Sequence, residues 1–120
     1  MLNNILVLVA EDEAVIALDI TMAIYDAGGQ VAGPAASVKQ AMNLISTMPV
    51  EAAILDINLS DGNSSPVALA LLAAGIPIVL QSGVGLPADL MAKFPDLTAH
   101  IKPCSATSLV HHLASIVANR

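Results

Sequence analysis

The strongest constraint on how this chain folds is an alternation. Short, mostly apolar runs are separated by segments with helical patterning, and each run ends on polar residues. Ile5 to Ala10 leads into Glu11-Asp12, and Ala52 to Leu55 into Asp56. Ile76 to Leu80 leads into Ser82-Gly83, and Thr98 to Ile101 into Lys102-Pro103. Runs that are apolar throughout suit strands covered on both faces, as in parallel sheets. The helical segments between them supply the crossovers that parallel strands need. The expected fold is α/β, a doubly wound five-stranded parallel sheet in one domain over residues 1–120.

The elements follow from local signals. The first strand is expected over Ile5 to Ala10, followed by a helix from Ala14 to Ala27 with Ile16, Ile20, Ala23, Ile24 and Ala27 at core spacing. Gly28-Gly29 closes that helix. Gln30 to Ala32 reads as a short second strand turned by Gly33-Pro34. Ser37 with Gln40 forms a capping box for a helix reaching Met48. Ala52 to Asp56 is the third strand. Ser65 caps a helix with Pro66 at its first position, and Gly75 ends it. Ile76 to Gln81 is the fourth strand. Val84 to Leu97, broken by Gly85, Pro87 and Pro95, is expected to be one short helix or an irregular loop. Thr98 to Ile101 is a fifth, edge strand, and Ser105 caps a last helix to Ala118 with Leu109, Leu113, Ile116 and Val117 inward.

Composition narrows the function. Hydrophobic residues make up 56% of the chain and charged residues 12%, enough for one large core. With four Lys and Arg and a net charge of −6, the chain is a poor ligand for nucleic acid and for anionic membranes. The uncharged stretch from Gly62 to Ala88 is cut by Pro66, Gly75, Pro77, Gly83, Gly85 and Pro87. It reads as a buried helix and strand, not a membrane span. The absence of a signal-peptide pattern and the single Cys104 point to the cytoplasm.

In an open sheet the site lies at the strand C-termini, at the topological switch point. With the flavodoxin-like order 2-1-3-4-5, taken over from known sheets of this size, Asp12 and Asp56 end neighbouring strands about 5 Å apart. Glu11, Asp12 and Asp56 would repel one another unless a cation held them. An oxygen-only set suits Mg²⁺ better than Zn²⁺, with Asp12 and Asp56 as direct ligands and Glu11 behind them or acting through water. A free carboxylate oxygen of Asp56 can attack phosphorus, Lys102 can neutralise the group being transferred, and Ser82 can donate to a phosphoryl oxygen. Gly83 leaves the approach open. Singly, these residues read as helix caps and turns. It is their joint placement at four strand ends that points to a phosphorylatable switch.

Glu11-Asp12, Asp56, Ser82-Gly83 and Lys102-Pro103 resemble the site residues of a two-component response-regulator receiver domain, over essentially the whole chain. The runs Val31 to Ser37, Leu55 to Leu59 and Pro66 to Ala68 further resemble an alphaproteobacterial single-domain subgroup named for a Phe-Ala-Thr-Gly-hydrophobic-Tyr motif (the FAT GUY receivers). The resemblance implies Asp56 as phosphoacceptor, and Glu11, Asp12, Asp56 and the main-chain carbonyl of Asn58 as the Mg²⁺ site. It implies Ser82 as the switch hydroxyl, Lys102 on the phosphoryl group and a cis peptide before Pro103. It also implies a histidine kinase or histidine phosphotransfer protein as donor and a downstream protein partner, with no output domain. The chain departs from the pattern at Leu80-Gln81-Ser82-Gly83-Val84-Gly85, which lacks both aromatics of the subgroup motif. Ala99 stands where receivers carry Tyr or Phe, and Cys104 where an aromatic commonly follows Lys-Pro. An order–disorder change after Ser82 is therefore expected to carry the signal.

Three other readings compete. An adaptor receiver would bind partners without phosphorylation. An aspartyl-phosphate phosphatase would need an acid two residues after the nucleophile, where this chain has Asn58. A flavodoxin-type cofactor module would meet Glu11-Asp12-Glu13 where it needs a phosphate loop. His111 and His112, about 100° apart on a helix, are expected at the surface; His100 receives no role, and Cys104 reads as a packing residue.

Overall fold

The computed structural model describes residues 1–119. Strand β1 (Leu6–Ala10) is followed by α1 (Ala14–Asp26), β2 (Gln30–Ala35), α2 (Val38–Thr47) and β3 (Ala52–Asp56). A two-residue hairpin, β4 (Asn58–Leu59) with β5 (Gly62–Asn63), precedes α3 (Ser65–Ala73). Then come β6 (Ile78–Ser82), α4 (Ala88–Lys93), β7 (Ala99–Ile101) and α5 (Ala106–Ala118). The five long strands form one parallel sheet in the order β2-β1-β3-β6-β7, the flavodoxin-like 2-1-3-4-5 order once the hairpin strands are set aside.

Alternation along each strand sorts the core into two layers. Val7, Val9, Ala52, Ile54 and Val79 face α1 and α5, where Ile20, Ile24, Leu109 and Leu113 meet them. Leu8, Ala10, Ala53, Leu55 and Leu80 face α2, α3 and α4, meeting Ala41, Val67, Leu71 and Leu90. Small residues on the helices let them sit close to the sheet, which explains a core built with so few aromatics.

Several boundaries differ from the sequence expectation. Gly33-Pro34 does not turn the chain: β2 runs through it to Ala35, and a register shift against β1 between Leu8 and Ala10 accommodates it. Gly33 has φ +103°, and a Cβ there would lie 2.7 Å from the Ala35 nitrogen and 2.9 Å from the Val9 oxygen, so only glycine fits. Ser65 does not cap α3 but starts it. The Asn63 side-chain oxygen accepts from the Ser65 N–H at 2.7 Å and takes over the capping role. Pro66 is in the first turn as expected, Gly75 follows the helix at φ +74°, and Ser37 and Ser105 cap α2 and α5 by accepting from the Gln40 and Ser108 N–H groups. The irregular stretch holds the six-residue α4. Among the described residues no helix is long and apolar enough to cross a membrane.

Candidate functional site

Strand register brings the polar ends together. Ala10 lies opposite Leu55, so the next residues, Glu11 and Asp56, emerge side by side. Asp56 in turn lies opposite Gln81, and Ser82 opposite Ile101, which delivers Lys102 to the same rim. The Lys102 N–H donates to the Ser82 carbonyl at 2.9 Å and locks that edge. One carboxylate oxygen each from Glu11, Asp12 and Asp56 lies within 4.8 Å of the others. Glu11 and Asp56 are buried and Asp12 is exposed.

Lys102 crosses the pocket. Its Nζ donates to Asp56 Oδ2 at 2.6 Å and lies 3.5 Å from Glu11 Oε1. The Asn58 N–H donates to Asp56 Oδ1 at 3.2 Å, and the buried Ser64 hydroxyl donates to the Asp56 carbonyl at 2.7 Å, so side chain and backbone of Asp56 are both held. Glu11 Oε2 accepts from the Glu13 N–H at 3.2 Å, and Oε1 accepts from Gln81 Nε2 at 3.0 Å.

Two carboxylates beside one ammonium leave the pocket short of positive charge. Burial pushes the Glu11 carboxyl up to about 7; Asp56 pushes the same way, while the Glu13 N–H and Lys102 pull against both. Burial alone would lower the Lys102 ammonium, but its contacts with Asp56 and Glu11 outweigh that and raise it. A hard divalent cation fits this donor set: every candidate ligand is an oxygen, and the exposure of Asp12 leaves room for metal-bound water.

The remaining predicted site residues are close by in different states. The Ser82 hydroxyl is fully buried and accepts from the Val84 N–H at 3.1 Å, so it is engaged with its own loop. Gly83 is exposed, and a Cβ there would meet nothing within 4 Å. The Lys102-Pro103 peptide is cis, as expected; so is Gly33-Pro34, which was not foreseen. Asn58 sits at the hairpin, next to the pocket.

Sequence reasoning missed two features. Gln81 is buried and bridges Glu11 to Cys104, whose Sγ donates to Gln81 Oε1 at 3.5 Å; a glutamine inside an apolar strand is the signal that was available. Burial pushes the Cys104 thiol up, which fits a packing role. His100 and His112 share a ring-to-ring hydrogen bond of 2.8 Å, so His112 is half-buried and not a free surface residue. His111 is exposed as expected.

No family model matches the chain, and no curated protein sequence does. Solved structures do. SdrG from Sphingomonas melonis Fr1 is 30% identical over 98% of this chain and 99% of its own, with a TM-score of 0.76. A response regulator receiver protein from Sinorhizobium medicae WSM419 is 25% identical over 96% and 95%, with a TM-score of 0.80. The PhyR response regulator REC domain of Erythrobacter litoralis, at 22% identity over 98% and 92%, shares the fold with a TM-score of 0.79. With the sheet order, the acidic cluster at the switch point and these matches along nearly the full chain, this protein belongs to the response regulator receiver domains.

Proposed function

We propose that this receiver is a phosphoacceptor in a two-component or phosphorelay system, modified on Asp56 by the phosphohistidine of a histidine kinase or phosphotransfer protein. The observation that carries this reading is the buried Asp56 carboxylate, held at one oxygen by Lys102 and standing in a three-carboxylate cluster. A structural ion pair would need neither the second and third carboxylates nor a polar rim assembled from four strands.

In the transfer step an Asp56 carboxylate oxygen forms a bond to phosphorus as the donor's P–N bond breaks. The imidazole leaves with the bonding pair and takes up one proton. Lys102 follows the developing charge on the phosphoryl oxygens, Ser82 turns its hydroxyl to one of them, and the open space at Gly83 admits the group. Asp12, Asp56 and the Asn58 carbonyl would hold Mg²⁺ with Glu11 behind them, and Mg²⁺ supplies further charge neutralisation there. On this reading the chain is a signalling element and not an enzyme acting on a separate substrate.

Protein contact delivers and reads the signal. On α1, Val15, Leu18, Met22 and Tyr25 are exposed at helical spacing, and Leu18 lines one cleft with Glu11 and Asp12. That apolar face beside the acceptor supports docking of a donor protein. The runs Val31 to Ser37 and Leu55 to Leu59 support placing the chain in the Phe-Ala-Thr-Gly-hydrophobic-Tyr subgroup.

The test is intact mass after incubation with a small phosphodonor and Mg²⁺, for wild type and Asp56→Ala. The expected result is a gain of one phosphoryl group that requires the metal and is lost in the variant. No gain, in folded protein with a donor active on a control receiver, would favour the adaptor that works without phosphorylation.

A further inference from the structure

We infer that Gln81 is a positioning residue for the cation site. Its amide orients the Glu11 carboxylate and ties it to the Cys104 thiol in the cleft between α1 and α5. The inference rests on the acceptor-site reading above.

Strand alternation places Gln81 on the same side of β6 as Val79, toward α1 and α5, where the surrounding layer is apolar. It is 1% exposed and among the largest fully buried side chains. An amide in such a place is costly unless both ends are bonded, and here both are. The chemistry of the neighbours fixes which way the amide faces. Lys102 Nζ, which can only donate, also reaches Glu11 Oε1, so that oxygen accepts and Nε2 faces it at 3.0 Å; a thiol can donate, so Oε1 of Gln81 faces Cys104 at 3.5 Å.

The consequence lies in Glu11. With Gln81 and Lys102 on Oε1 and the Glu13 N–H on Oε2, each carboxylate oxygen has a fixed donor. Lys102 is shared with Asp56 at the shorter distance, so it must leave Glu11 whenever its ammonium follows the phosphoryl group. Gln81 has no such competing task, and of the two side-chain donors it is the one that keeps Glu11 in place throughout. Partners that orient metal-site ligands in this way typically change affinity by about 10–100-fold when removed. Cys104 lines an open cleft of about 440 Å³ with Ile16, Asp19, Lys102 and Leu109, so the chain of bonds runs from that cleft to the acidic pocket.

The test is Mg²⁺ affinity by calorimetry on the intact chain, with folding checked by thermal melting. Gln81→Met keeps the length of the side chain and removes both bonding groups; it is expected to weaken Mg²⁺ binding about tenfold. Cys104→Val, which frees one end of the amide, is expected to weaken it about threefold, and Cys104→Ser, which keeps a donor, to restore it. The double variant Gln81→Met with Cys104→Val is expected to be no weaker than Gln81→Met alone. A purely structural role would lower the melting temperature without this pattern.

Folded Gln81→Met with affinity within about twofold of wild type, alongside loss in Asp56→Ala, overturns this inference alone. If Gln81→Met fails to fold, equal affinities for wild type and Cys104→Val overturn it instead. A wild type that binds no Mg²⁺ refutes the acceptor-site reading and the inference together.

Discussion

Metal-free protein should lose stability as pH rises from about 5 to 8, and Glu11 should be the cause. The perturbation is Glu11→Gln, compared with wild type across that range in chelator. The Glu11 carboxyl is moved from its ordinary 4.5 to about 7, chiefly by burial. Its side chain is 0% exposed, so solvent does little to screen the effect. Between those two values the folded state holds a proton that the unfolded state has released, so raising the pH favours unfolding. The contribution is fully present below about 4.5 and is gone above about 7. Moving a carboxyl that far corresponds to about 3 kcal/mol, or about 10 °C in melting temperature for a domain of this length. His100, held low by burial and by His112, contributes with the opposite sign in this range; Asp61, held low by the Val38 N–H, contributes below it. The readout is therefore the difference between the two proteins, in which those contributions cancel. Glu11→Gln should gain on wild type by about 3 kcal/mol between pH 5 and pH 8 in urea melts. An equal difference at both ends would refute the claim that this carboxyl is buried without enough positive charge.

Three other perturbations test the frame and the switch. Gly33→Ala should cost about 2–3 kcal/mol or more in urea unfolding, because the new methyl meets the Ala35 and Val9 backbones at a positive φ; Gly85→Ala, at φ +95° with nothing within 4 Å, should cost about 1 kcal/mol. Phosphorylation should speed hydrogen exchange over Val84 to Phe94. Turning the Ser82 hydroxyl to the phosphoryl group releases the Val84 N–H, and α4 behind it is anchored by a single buried residue, Leu90. Unchanged exchange there would sink the order–disorder account.

The sequence by itself determined what obeys local rules or a period. Mostly apolar runs of four to six residues with helical segments between them admit a parallel α/β sheet and little else. Ser37 and Ser105 declared their caps because a hydroxyl accepting from an N–H three residues on is a local event. Glu11, Asp12, Asp56, Ser82 and Lys102 were legible because all of them sit at strand ends, where one topology gathers them.

Tertiary structure decided whatever depends on a partner far along the chain. Register across β1, β3 and β6 put Glu11 beside Asp56 and Gln81 opposite Asp56, which no residue spacing specifies. Gly33-Pro34 reads locally as a turn, yet β2 runs through it and its pairing with β1 resumes at Ala35 after a register shift. His112 found His100 across the gap between α5 and β7, and Gln81 found Cys104. The physical reason is the same in each case. A buried polar group must be satisfied by whatever the fold brings within about 3 Å, and that neighbour is chosen by the packing of the whole sheet and not by the residues on either side.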